Sequence, residues 1–155
     1  MERVSKWDKR YLRLAKEVST WSKDPSTKVG AVAVLNGSVL AQGYNGFPKY
    51  ILDDPDQYED RETKYKYIVH AEMNCIYNAA MNGVSLYGST LYIYPLPACH
   101  ECAKGIIQCG VERVVSPAFE NEFTQKRWEN SCSTTFDMFE QAGIEYDLIK
   151  GFTKW

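Results

Sequence analysis

Long apolar runs are missing from this 155-residue chain, and no window approaches the length of a membrane span. A positive charge excess is missing too. The 18 Lys and Arg against 20 Asp and Glu leave a net charge of −2, which argues against a broad basic face holding a polynucleotide. A small phosphorylated ligand needs only a few local donors and stays open. The cysteine count is not even: five cysteines cannot all enter a disulfide framework. No internal repeat or low-complexity tract interrupts the chain, and Met1–Trp7 lacks the layout of a secretory leader. The simplest organisation these absences allow is one domain over 1–155, in a reducing cytoplasm.

What is present reads as alternating helices and strands. Apolar residues at Tyr11, Leu14, Ala15 and Val18 mark one face of a helix from about Val4 to Ser22, stopped by Asp24-Pro25. Val29 to Leu35 and Ser38 to Gly43 read as a hairpin turned at Asn36-Gly37. Tyr44 to Lys66 reads as a long irregular excursion, a length often tied to function. His70 to Asn82 is expected to be helical, facing inward with Met73, Ile76, Tyr77 and Ala80 and stopping at Gly83. Thr90 to Tyr94 is a strand, Cys99 to Cys109 a helix, and Arg113 to Val115 a short strand. Trp128 to Ala142 is a helix and Ile144 to Ile149 a last strand. This order predicts an α/β fold, a mixed sheet with helices on both faces.

The chemistry concentrates in His70-Ala71-Glu72 and Cys99-His100-Glu101-Cys102. Cysteines three apart at a helix start lie on one side, so both sulfurs reach one ion, and the positive end of the dipole favours thiolates. Two thiolates and an imidazole leave tetrahedral zinc one position for water, as catalytic sites do. Bound zinc lowers the pKa of that water to about 7. Glu72, two residues from a ligand, is placed to relay protons. The alternative is a structural zinc, which needs a fourth protein ligand. His100 is wedged between the cysteines, and Cys75, Cys109 and Cys132 read as buried or incidental thiols. The pattern matches the zinc-deaminase signature His-x-Glu … Pro-Cys-x-x-Cys, save that Ala98 stands directly before Cys99 and proline lies one earlier at Pro97.

Three further stretches carry a closer resemblance: Ser22-Lys23-Asp24-Pro25-Ser26-Thr27-Lys28-Val29-Gly30-Ala31, Gly43-Tyr44-Asn45-Gly46-Phe47-Pro48, and Cys99 through Gln108. With His70-Ala71-Glu72-Met73-Asn74, they make Ser22 to about Tyr146 resemble the deoxycytidylate (dCMP) deaminases of the cytidine deaminase-like fold. The resemblance implies a three-layer α/β/α sandwich around a mixed five-stranded sheet. It implies zinc-dependent conversion of dCMP to dUMP for thymidylate synthesis, with one zinc per chain on His70, Cys99 and Cys102 and with Glu72 catalytic. It also implies homohexamers activated by dCTP with Mg2+ and inhibited by dTTP. Carried over by position, Asn45 meets the substrate, a carboxamide that both donates and accepts. Ser22 and Lys23 offer a hydroxyl and a cation to the 5′-phosphate. Tyr44 and Gly46 belong to an effector site, while Asn45-Gly46 alone also reads as turn chemistry. A deaminase of another cytosine- or adenine-containing substrate, tRNA included, and a non-catalytic zinc protein that binds nucleotides remain alternatives. No membrane or polynucleotide partner is expected.

Overall fold

The computed structural model describes residues 3–152, so Met1 and Glu2 of the leader reading lie outside the described residues. Its centre is a five-stranded sheet ordered β2-β1-β3-β4-β5, from β1 (Gly30–Leu35), β2 (Ser38–Tyr44), β3 (Thr90–Tyr94), β4 (Arg113–Pro117) and β5 (Glu145–Ile149). β1 runs antiparallel to both β2 and β3, whereas β3, β4 and β5 are parallel. Asn36 and Gly37 turn the hairpin with φ of 52° and 74°, as an Asn-Gly turn requires.

Alternation along the strands splits the core in two. Val32, Val34, Tyr92 and Val115 face α1 (Lys6–Ser19) with Leu12, Ala15 and Val18. Ala31, Ala33, Leu91, Ile93 and Val114 face the other layer, made of α4 (Ala71–Met81), α5 (His100–Gln108) and α6 (Glu122–Ala142). The result is the mixed α/β/α sandwich expected from the sequence.

A buried ionic cluster fastens α1 to the sheet. Arg113 on β4 gives two guanidinium bonds to Asp8, at 2.8 and 3.1 Å, and a third to Asp147 at 2.9 Å. The Tyr92 hydroxyl donates to Asp8 at 2.7 Å, and so does the Ser5 N–H at 2.8 Å, closing the cap of α1.

Several local expectations need correction. α1 stops at Ser19, before Asp24-Pro25, and buries Leu12 while Leu14 stays exposed. The excursion after Tyr44 contains α2 (Pro55–Glu59) and α3 (Arg61–Tyr67). Asp54-Pro55 is a helix start, with proline in the first turn where its missing N–H costs nothing. These helices bury only Tyr58, so they carry no apolar period to detect. α4 faces inward chiefly with Ala71, Cys75 and Ala79; of the expected face, Met73 and Ile76 pack half-buried against the core, while Tyr77 and Ala80 are exposed. Small residues face the sheet because α4 lies against β2 at Gly43, where an added Cβ would collide with the Cys75 backbone. Gly105 does the same for α5: a Cβ there would sit 2.7 Å from Met73 Sδ. These two close approaches bring the starts of α4 and α5 together. α6 begins at Glu122, well before Trp128.

Candidate active site

His70 is the N-cap of α4 and Cys99 the N-cap of α5. Both side chains therefore project from helix starts, where backbone N–H groups are unsatisfied. The Cys102 N–H uses one of them, pointing at Cys99 Sγ at 3.5 Å. His70 Nδ1 lies 3.3 Å from Cys102 Sγ and 3.4 Å from Cys99 Sγ, and all three donor atoms fall within 4.8 Å of one another. Zinc bonds of about 2.1 and 2.3 Å at a tetrahedral angle put nitrogen and sulfur about 3.6 Å apart, so the donor set fits that ion. Exposure falls from His70, at the surface, through Cys99 to buried Cys102. Among the described residues the group holds no fourth His, Cys, Asp or Glu.

Glu72 follows on the first turn of α4 and is 4% exposed. Burial pushes its carboxyl above the usual range, opposed by the nearby His70 and by a hydrogen bond from the Cys102 thiol. The thiols split. The Cys102 hydrogen bond, aided by His70, holds Cys99 well below an ordinary thiol, while the same bond, together with burial, pushes Cys102 up. His70 is raised by its bond to Cys99.

His70, Glu72 and Cys99 line a cleft whose walls include Asn45, Arg61, Lys64, Arg127 and Trp128. Asn45 is buried, and its carboxamide is largely committed. Oδ1 accepts the Val29 N–H at 2.8 Å, while Nδ2 donates to the Thr27 carbonyl at 2.8 Å and to Asp24 at 3.3 Å. One lone pair on Oδ1 remains for a ligand. Asp24, 2% exposed, is the hub of this wall. It accepts Lys64 Nζ at 2.8 and 2.9 Å and the Ser26 N–H at 2.8 Å.

Ser22 and Lys23 stand away from the cleft lining. The Ser22 hydroxyl is buried and donates to the Asn45 carbonyl at 2.8 Å, so it secures the loop. Lys23 is exposed and paired with Asp53 at 3.0 Å. The cations in the cleft are Arg61, Lys64 and Arg127, which periodicity passed over because all three lie in polar stretches. The signal that was available is the Arg61/Lys64 spacing, which puts two cations on one side of a helix. Tyr44 is exposed, edge-on to Trp21 at 6.1 Å, and Gly46 pairs with Val69 through two backbone bonds; neither lines the cleft. Ala98 is buried, and its carbonyl accepts the Thr135 hydroxyl at 2.9 Å.

Comparison with known proteins agrees with this geometry. The family described as cytidine and deoxycytidylate deaminase zinc-binding region matches residues 5–117. An uncharacterized deaminase of Aliivibrio fischeri is 39% identical over 142 residues, spanning 92% of each chain. The deoxycytidylate deaminase of Mus musculus is 34% identical over 148 residues, covering 90% of this chain and 78% of that enzyme. The crystal structure of dCMP deaminase from the cyanophage S-TIM5 in complex with dCMP and dUMP is similar with a TM-score of 0.71 and 27% identity, over 96% of this chain and 100% of that one.

Proposed function

The chain belongs to the cytidine and deoxycytidylate deaminase family and is a deaminase, and from that premise we propose that it hydrolyses dCMP to dUMP and ammonia. The observation that carries the reading is a buried, charge-disfavoured carboxylate, Glu72, beside a His/Cys/Cys donor set in a cleft that also holds cations. His70, Cys99 and Cys102 would hold the metal, and zinc bound there would supply Lewis acidity and make a water acidic enough to react at neutral pH. Glu72 takes one proton from the attacking water and delivers it to the ring nitrogen beside the amino-bearing carbon; it then takes the second proton from the hydroxyl now on that carbon and delivers it to the amine, so that the C–N bond breaks, ammonia leaves and the oxygen remains as the carbonyl.

Asn45 accepts a sugar hydroxyl on its remaining lone pair, and its own bonds to Asp24, Thr27 and Val29 hold it rigid for the purpose. Arg61 and Arg127 meet the 5′-phosphate. Lys64 spends its charge on Asp24, whereas the two arginines form no ion pair among the described residues. A guanidinium suits a phosphate, because its planar fork matches two oxygens. The likeness to the mouse enzyme and to the dCMP-bound phage structure favours the nucleotide over the nucleoside.

The reading extends to regulation, on the family resemblance alone. It takes a homohexamer, activation by dCTP with Mg2+, inhibition by dTTP, effector contacts at Tyr44 and Gly46, and supply of dUMP for thymidylate synthesis. Five free cysteines fit a reducing cytoplasm. By linkage, if dTTP weakens dCMP binding, dCMP weakens dTTP binding by the same factor.

The test is ultraviolet absorbance of zinc-loaded protein with dCMP, deoxycytidine or tRNA. Loss of the cytosine signal from dCMP alone, faster with dCTP and Mg2+ and slower with dTTP, is the expected result. Turnover of deoxycytidine or tRNA in preference to dCMP overturns the substrate. Turnover of dCMP indifferent to dCTP and dTTP removes the regulation.

A further inference from the structure

Cys99 is held by its neighbours' backbone, and α6 does the holding. The Thr135 hydroxyl, on a residue 0% exposed, donates to the Ala98 carbonyl at 2.9 Å. One turn earlier the Ser131 hydroxyl accepts the His100 N–H at 3.0 Å and lies 2.8 Å from His100 Nδ1. Cys132 Sγ points at the same Ala98 carbonyl from 3.8 Å. The peptide before Cys99 and the peptide after it are thus both tied to one face of α6.

We propose that Thr135 and Ser131 are positioning residues that fix the Cys99 backbone and so aim its sulfur at the metal. The inference rests on His70, Cys99 and Cys102 being the zinc site. Three physical points carry it. Fixing both flanking peptide planes fixes the Cα–Cβ direction of Cys99, which no contact to its own side chain would do. The bonds go to groups that need partners: His100 is the first residue of α5, so its N–H has no helical acceptor, and Ala98 is 1% exposed, so its carbonyl is cut off from water. The side chains are spaced i and i+4 on α6, which packs on α5, so one rigid helix delivers both.

The clasp also bears on the alanine before Cys99. Ala98 sits where the deaminase signature has proline, a residue that sets its own backbone φ. Here that rigidity comes from outside the loop, through the Ala98 carbonyl. Partners that orient metal ligands typically matter by 10- to 100-fold in metal affinity, and the same scale is expected here.

The experiment is zinc competition against a chromophoric chelator, with cobalt(II) substitution and thermal melting of the zinc-free protein, for wild type, Thr135→Val, Thr135→Ser and Ser131→Ala. Wild-type zinc binding in the same titration checks the site assignment separately from the clasp. Thr135→Val, equal in shape and lacking the donor, is expected to bind zinc about tenfold more weakly and to change the cobalt–thiolate absorption, with Thr135→Ser restoring both. Ser131→Ala is expected to shift both in the same direction by less, and decides the matter should Thr135→Val not fold. Zinc affinity and cobalt spectra unchanged in Thr135→Val and Ser131→Ala, with only melting lowered, would make these residues ordinary helix packing and overturn the proposal.

Discussion

Two carboxylates in this protein are both closed off from solvent and behave oppositely. Asp8 is 3% exposed and Glu72 is 4% exposed. Burial opposes the ionisation of Asp8, but the Arg113 guanidinium, the Ser5 N–H and the Tyr92 hydroxyl outweigh it and hold the carboxyl down at about 2. Glu72 has no arginine among its influences. Burial dominates and pushes it up, with His70 and the Cys102 thiol only partly compensating. Deeper burial and weaker partners set Glu72, the proposed proton carrier, apart from Asp8, a structural charge. Asp8 has its acceptor capacity filled and locks α1 to β4. Glu72 sits beside the donor set with a hydrogen bond from the Cys102 thiol and no arginine or lysine paired to it, where the proposed reaction needs a proton carried.

The sharpest way to break that comparison is to neutralise each carboxylate in turn. Glu72→Gln keeps shape and removes the proton carrier. Turnover should fall by at least about 10³-fold while zinc content stays at one per chain and the melting temperature does not drop; steady-state rates, metal analysis and calorimetry check this. Asp8→Asn should do the reverse. It leaves Arg113 with only the Asp147 carboxylate, destabilises the fold by about 3 kcal/mol, and leaves kcat/KM of the folded protein within about twofold, as denaturant titration and kinetics will report.

Acid sharpens the same contrast. The folded-state value of Asp8 is depressed from 3.8 to about 2, so its contribution, roughly 2 kcal/mol, is complete above about pH 4 and is lost as the pH falls through about 2. Stability measured between pH 5 and 2 should therefore fall steeply in the wild type and more gently in Asp8→Asn. Equal slopes would remove the assigned cause.

Smaller effects separate the two kinds of surface charge near the cleft. Arg61→Ala and Arg127→Ala should each raise KM for dCMP about tenfold and leave deoxycytidine kinetics nearly unchanged, because only the nucleotide offers a phosphate. Lys23→Ala should change neither KM nor stability measurably. Its pair with Asp53 lies at the surface, where solvent screening leaves such pairs little net effect. A large KM effect at Lys23 with none at either arginine would reverse the phosphate assignment.

How much of this was legible in the chain varies by kind of residue. β3 and the Asn36-Gly37 hairpin could be read because β-branched runs and positive-φ turns are local signals. That His70, Glu72, Cys99 and Cys102 come together could be read because His-x-Glu and Cys-x-x-Cys encode helix-start geometry within a few positions. The inward face of α4 could be read only in part: Met73 and Ile76 were legible, but Ala71, Cys75 and Ala79 look indifferent until Gly43, far along the chain, allows the helix to lie against the sheet. α2, α3 and the start of α6 escaped because their exposed polar residues leave no period, and Phe123, an apolar residue there, is 78% exposed. Asp24 was read only as a helix stop. Its role as hub for Asn45 and Lys64 depends on three segments meeting, which no local pattern records.

The central claim is that the buried carboxylate beside the donor set carries the reaction. Its most direct test is the loss of dCMP absorbance by zinc-loaded wild type and Glu72→Gln side by side, at matched metal content. Rapid loss with the wild type and essentially none with the variant is the outcome predicted. Comparable rates from the two proteins would contradict the account, and would move the proton-carrying step to another group in the cleft.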